Sequence, residues 1–252
     1  MATWLVRDKV DKILYQHIED QHKDTLRFIK DCEMWFGKPI EIIQSPYKCV
    51  NNACRAMSYI NGPDGAVCSR LLKRRCRKEW EIQNEWFNRF CYVWGMDIAE
   101  SKPNLTRKDK LSRCDALRES MPNQEHLFPL VDKKITKEEA HGILRKAGIK
   151  RPAMYDLGYR NNNCIGCVKG GKGYWNKIRI DFPEVFKARS EMERLIGATC
   201  LKKKRERPDE PASKDNTVKL YLDELDPKAG KDEEPVVEEC GAMCELINKG
   251  EL

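Results

Sequence analysis

Short apolar runs alternate with longer segments of helical period along the first two thirds of the chain. Residues 13–18 (Ile-Leu-Tyr-Gln-His-Ile) are apolar and β-prone and predict a buried strand. Behind them Leu26, Ile29 and Cys32 recur at helical spacing. Asp20 or Asp24 is expected to cap a helix that runs to about Phe36 and stops at Gly37 and Pro39. Residues 40–43 (Ile-Glu-Ile-Ile) predict a second strand, and strand, helix and strand with short joints predict a right-handed parallel β-α-β unit.

Further along, residues 45–57 offer a short helix and 61–66 a loop dense in turn formers. A longer helix follows over 68–90, with a break expected near Lys78. Residues 91–96 and 126–130 predict the third and fourth strands, which leaves 95–107 at the C-terminal edge of the third, where open α/β sheets bind ligands. Thr136 and Glu139 form a capping box for a helix ended by Gly148, with Pro152 beyond. Asp181 is expected to cap a helix opened by Pro183 and closed by Gly197, with Phe186, Met192 and Leu195 among its apolar positions. These elements predict an α/β domain over 1–200. The charged, proline-containing stretch 201–217 reads as a linker, and the tail 218–252 is expected to dock back, since 218–225 is apolar again.

Composition narrows the class. At 252 residues, 40% of them hydrophobic, the chain can bury a core. No apolar run approaches a membrane span, and residues 1–12 lack the apolar centre of a signal peptide. The expected location is therefore the cytoplasm, the host's if a phage encodes the chain. In a reducing compartment twelve cysteines favour metal, cluster or redox roles over a disulfide framework. The formal charge of +7 is uneven: 70–78 and 201–207 are basic and 232–239 is acidic. Such runs are solvated helix faces or contacts to the phosphates of a nucleotide or nucleic acid.

The stretch 154–186 holds Cys164 and Cys167 in a C-x-x-C, with Gly166, Gly170, Gly171 and Gly173 around it. That spacing lets two thiolates converge on one metal across a tight turn. A second pair, Cys240 and Cys244, stands near the chain's end. Two separated pairs are what a four-cysteine zinc or iron–sulfur site requires; the bland alternative is buried or incidental thiols. The KGGKG at 169–173 follows a C-x-x-C rather than a strand, so it is a weak signal for a phosphate loop.

Taken together, the segments IEDQHKDTLRF and WFGKPIEII, the Cys68-to-Lys73 spacing, GMDIAES with Arg107, MYDLGYRNNNCIGC and the late Glu239-Cys240-Gly241 resemble the phosphoadenosine phosphosulfate (PAPS) reductase family. That family belongs to the PP-loop, or adenine nucleotide alpha-hydrolase-like, class, and the likeness is closest to members carried by phages and mobile elements. It covers most of 11–200 and, more loosely, the tail. The resemblance implies a doubly wound, mostly parallel sheet with flanking helices, incomplete at the N-terminus, and a Cys-rich C-terminal segment. It also implies ATP or PAPS held over the C-terminal edge of the sheet and a thioredoxin-like reductant as partner. On this likeness Arg70, Lys73, Ser101 and Arg107 are candidate anion-binding residues.

In the reductases a cysteine of an E-C-G-h-H motif attacks the sulfur of activated sulfate, which makes Cys240 the candidate nucleophile. Met243-Cys244 stands where the histidine would, and this favours Cys240 and Cys244 as metal ligands beside Cys164 and Cys167. A cluster of the kind found in some sulfate reductases would use Cys68, followed here by Ser69, with Cys164, Cys167 and a ligand such as Cys76 or Cys244. Asp97 replaces the arginine usual in the family, and no Ser-Gly-Gly-x-x-Ser turn precedes Ile13, so ATP is expected to bind poorly. The leading expectation is adenine-nucleotide-dependent sulfur chemistry: reduction or transfer of a sulfonyl or sulfur group, or adenylation before thiolation. The alternative is a non-catalytic, metal-stabilised module that binds nucleic acid or a host protein.

Overall fold

A computed structural model describes residues 1–62, 65–85, 90–105, 109–204, 217–232 and 234–238. The chain opens with a helical turn, α1 (Ala2–Leu5), and then forms β1 (Ile13–His17), α2 (Asp24–Phe36) and β2 (Ile40–Gln44). The two strands pair in parallel with Ile13 opposite Ile40 and His17 opposite Gln44, so the expected β-α-β unit is present. Gly37 ends α2 in the left-handed conformation at φ 63°, which lets its N–H reach back to the carbonyls of Glu33 and Met34.

After α3 (Val50–Met57), a two-residue hairpin of β3 (Asn61–Gly62) and β4 (Gly65–Ala66) leads into a π-helical segment, Ser69–Arg75, continued by α4 (Cys76–Gln83). The helix expected over 68–90 is thus not broken near Lys78. Its irregularity comes one turn earlier, where a wider turn lets both Leu71 and Leu72 reach the core.

β5 (Cys91–Val93) and β6 (Glu125–Leu127) form a second parallel pair, with α5 (Arg113–Ser120) between them. Both are shorter than expected. Pro129 starts α6 (Pro129–Asp132) instead of extending a strand, in keeping with proline's preference for the first turn of a helix. The two pairs share no strand hydrogen bonds among the described residues. α4 bridges them: Trp80 Nε1 donates to Glu41 of β2 at 2.5 Å, and the Tyr92 hydroxyl of β5 donates to Glu81 at 2.6 Å. The protein is therefore a mixed α/β structure with small sheets of parallel strands.

The second half is helical: α7 (Lys137–Lys146), α8 (Ala153–Asp156), α9 (Lys172–Asp181) and α10 (Pro183–Ile196). The Thr136–Glu139 capping box is present in both directions. Asp181 does not cap α10; its carboxylate takes the Tyr159 hydroxyl at 2.8 Å and Lys177 at 2.7 Å, while Phe182 is the cap residue and Gly197 closes the helix at φ 65°. Of the apolar positions expected to face inward, Met192 is fully buried whereas Leu195 is 68% exposed.

The stretch read as a linker begins in structure. β7 (Leu201–Lys204) pairs antiparallel with β8 (Thr217–Leu220); residues 205–216 lie outside the described set. Three apolar clusters hold these parts. One joins Ile18, α3, the π segment, Val168 and Met192; a second joins α8, α9 and the β7–β8 hairpin; a third gathers Ala2, Leu130, Ile135 and Ile143 beneath a Trp4–Trp35 stack. The tail docks back as far as it is described: Val236 is buried, Arg151 donates to its carbonyl at 2.9 Å, and Glu238 pairs with Arg145 at 3.3 Å.

Candidate functional site: a thiol cluster beside a basic cleft

The C-x-x-C turn sits on the C-terminal end of β1. The Ile165 N–H donates to the Asp20 carbonyl at 2.8 Å, and the Asp20 carboxylate in turn accepts the Val50 N–H at the start of α3 at 2.6 Å. Gly166 takes φ 69°, and a Cβ there would come within 2.8 Å of Val185, so the turn needs glycine both for conformation and for room. The Tyr174 hydroxyl spans the turn, accepting from the Cys167 N–H at 2.8 Å and donating to the Cys164 carbonyl at 3.2 Å. Two backbone groups that a bare turn would leave unpaired are satisfied by one side chain.

Cys68, at the head of the π segment, joins this turn. The Cys164 thiolate would be disfavoured by charge on Cys68 and Cys167, and the Cys68 thiolate by charge on Cys167, so the three lie close together. Burial is the main cause of both upward shifts and pushes the Cys164 thiol to about 12. Lys73 opposes it at Cys164, and Lys169 and Arg189 oppose it at Cys68. Cys54 lies against the same group, with its thiol also pushed up to about 12 by burial. Cys76 does not belong here: it is buried at the start of α4, where the neighbouring charge is Glu79.

Arg189 of α10 is the cation of this region. It is 1% exposed, pairs with Asp20 at 2.9 Å and donates to the Asn51 side chain. Its Nε has no hydrogen-bond partner among the described residues and lies beside Gly166, 3.5 Å from where a Cβ would stand. An unspent buried N–H on a cation that opposes the upward shifts of Cys54, Cys68 and Cys200 suits a site that carries negative sulfur. The sequence held one signal for it, an arginine in the buried register of an amphipathic helix with Met192 and Glu193.

A cleft of about 1460 Å³ opens beside the thiols, walled by β1, the π segment and α4, β5 and α5. Among its described lining residues eight are basic and four acidic. Lys73 is on this wall and exposed. Arg70 is exposed and does not line it. The half-buried Ser101 donates its hydroxyl to the Ile98 carbonyl at 2.8 Å and is likewise off the wall. Arg107, Cys240 and Cys244 lie outside the described residues. Asp97 caps the 3-10 turn Ile98–Ser101 by accepting the N–H groups of Ala99 and Glu100.

Among the described residues no three His, Cys, Asp or Glu side chains converge in metal-holding geometry, although Cys68, Cys164 and Cys167 are neighbours. No helix of the described residues is long and apolar enough to cross a membrane. No family model, curated protein or solved structure matches the chain.

Proposed function

We propose that this chain is a PAPS reductase-like protein that carries out adenine-nucleotide-dependent sulfur chemistry, and that its two parallel pairs, bridged by α4, belong to one doubly wound sheet. One observation carries the reading: Cys68 neighbours the sequence-distant Cys164–Cys167 pair beyond the C-terminal end of β1, and Lys73 links them to the wall of a basic cleft. In open α/β sheets that edge is where ligands bind, and Lys73 there would neutralise phosphate or sulfate oxygens.

Burial keeps the Cys68 and Cys164 thiols protonated, so they are poor free nucleophiles and better metal ligands, because a metal displaces the proton. Cys68, Cys164 and Cys167 would hold zinc or an iron–sulfur cluster, with Arg189 Nε offering its N–H to their sulfur, and further ligands would come from Cys240 or Cys244. Zinc would fix the turn structurally; a cluster would add redox capacity. When the tail cysteine is free, its thiolate attacks the sulfur of PAPS, an S–S bond forms as the S–O bond to the nucleotide breaks, and a thioredoxin-like dithiol then releases sulfite and is oxidised to its disulfide.

The test is anaerobic incubation with PAPS followed by intact-mass analysis. A sulfonate adduct that thioredoxin removes is expected, and Lys73→Glu should reduce its yield at least tenfold. No adduct, together with no calorimetric binding of PAPS, overturns the assignment.

A further inference from the structure

The cleft is larger and more widely charged than a mononucleotide needs. Small-molecule pockets enclose roughly 300–1,000 Å³, whereas this one has about 1460 Å³. Its cations come from three separate parts of the chain: Lys9 and Lys12 before β1, Lys73, Arg74 and Lys78 along the π segment and α4, and Lys169 after the C-x-x-C. All six are exposed, and none has an ion-pair partner among the described residues. Four carboxylates share the wall, Asp11, Glu81, Glu85 and Glu125; Glu81 is committed to Arg77 at 3.0 Å, and the cations outnumber the carboxylates by eight to four.

Between these cations lie aromatic rings. Tyr92 of β5 and Trp94, one residue past its end, stand 5.3 Å apart on the cleft wall, and His126 of β6 stacks beside both, 5.9 Å from Tyr92 and 6.2 Å from Trp94. The platform is held rigidly. Arg77 lies over the Tyr92 ring at 4.6 Å, the Tyr92 hydroxyl binds Glu81, and Trp94 Nε1 donates to His126 at 3.0 Å.

From this arrangement we propose that the cleft binds single-stranded nucleic acid, with phosphates tracked by the six unpaired cations and bases stacked against the Tyr92–Trp94 edge of the platform. Positive grooves interleaved with aromatic rings are how strands are held without sequence preference. A duplex hides its base faces and gains only the charge term. The proposal shares the anion-binding cleft of the sulfur-chemistry reading but does not rest on the thiols, and it places a polyanionic strand within reach of them.

The experiment is fluorescence anisotropy of the full chain with labelled dT20, the matching 20-bp duplex and poly-glutamate, from 50 to 300 mM salt. The strand is expected to bind at least tenfold more tightly than the duplex. With some five phosphates engaged, log K against log salt should have a slope of about −3.5. Trp94→Ala should weaken strand binding by about 5- to 150-fold, the usual worth of one stacked base. Lys78→Glu, exposed on α4 and harmless to folding, should weaken it at least threefold and flatten the salt slope. Lys30→Glu, the same charge change at an exposed α2 position off the cleft wall, should leave it within twofold, and strand binding read without PAPS separates this proposal from the sulfur chemistry. Equal binding of strand and duplex, preference for poly-glutamate, or insensitivity to both cleft substitutions overturns it, even if the PAPS adduct forms.

Discussion

Arg189 of α10 pairs with Asp20 at 2.9 Å while only 1% exposed, and Asp20 is the same residue that holds the start of α3 and the C-x-x-C turn. The pair therefore ties the late helix to the end of the first strand at the point where the thiols meet. Breaking a buried pair from one side leaves an uncompensated charge, so Asp20→Asn should cost about 3–5 kcal/mol in urea unfolding. The double variant Asp20→Asn/Arg189→Met should cost less than the two single changes added together. A fully additive result would mean that the two side chains do not act as a unit.

Acid should weaken the fold through His141. This side chain is buried against Tyr155, with ring centroids 4.3 Å apart, and burial lowers its pKa to about 4 from an ordinary value near 6.5. Because the unfolded chain takes up the proton first, stability rises with pH between about 4 and 6.5 and is lost as pH falls through that window. The full loss from this one group is roughly 3 kcal/mol. Urea midpoints measured from pH 7 to pH 4 should show the decline, and His141→Phe should flatten it.

The Tyr174 hydroxyl sets the reactivity of the C-x-x-C turn. Tyr174→Phe leaves the Cys167 N–H and the Cys164 carbonyl without their partner, at a cost of about 1–3 kcal/mol. Alkylation followed by peptide mapping should show Cys164 and Cys167 modified several-fold faster than in the unaltered protein. Gly166→Ala should act in the same direction and more strongly, because the methyl group meets Val185 at a backbone angle that alanine resists. Unchanged alkylation rates in both variants would show that the turn does not govern access to the two thiols.

Gly173, within the glycine cluster near 170, makes room for the tail. A Cβ on Gly173 would stand 1.9 Å from the Lys231 carbonyl oxygen, and one on Gly230, at φ 100°, would stand 2.1 Å from the Gly173 nitrogen. Asn176 fastens the same segment through the carbonyls of Asp226 and Ala229. Gly173→Ala should displace residues 226–231 and speed tryptic cleavage at Lys228 and Lys231. Cleavage at the original rate would show that the segment does not depend on this approach.

Local rules suffice for those elements that are closed by their own residues. Gly37 ends α2, Thr136 and Glu139 cap α7, and the apolar runs of β1 and β2 pair as their periodicity implies. The misreadings share a cause, which is that the deciding partner is distant in sequence. Asp181 could cap α10 on local grounds but is taken by Tyr159, and α9 was obscured by the glycines that the returning tail requires. The β7 strand, Leu-Lys-Lys-Lys, reads as linker until β8 arrives opposite it. At the site the thiols Cys68, Cys164 and Cys167 and the cation Lys73 were legible as residue types with suggestive spacing. Asp20, Arg189 and the aromatic platform were not, since each gains its role only from a neighbour in space.

The π-helical turn at Ser69–Arg75 amounts to one residue more than an α-helix of the same rise would hold. Removing a residue there would restore a regular helix and rotate everything before it by about 100° relative to α4. Cys68 would swing out of the thiol group while Trp80 and the α4 bridge stayed in place. A one-residue deletion at this point thus disconnects Cys68 from Cys164 and Cys167 without touching any of the three, and any kindred chain lacking that residue should also lack a need for this cysteine.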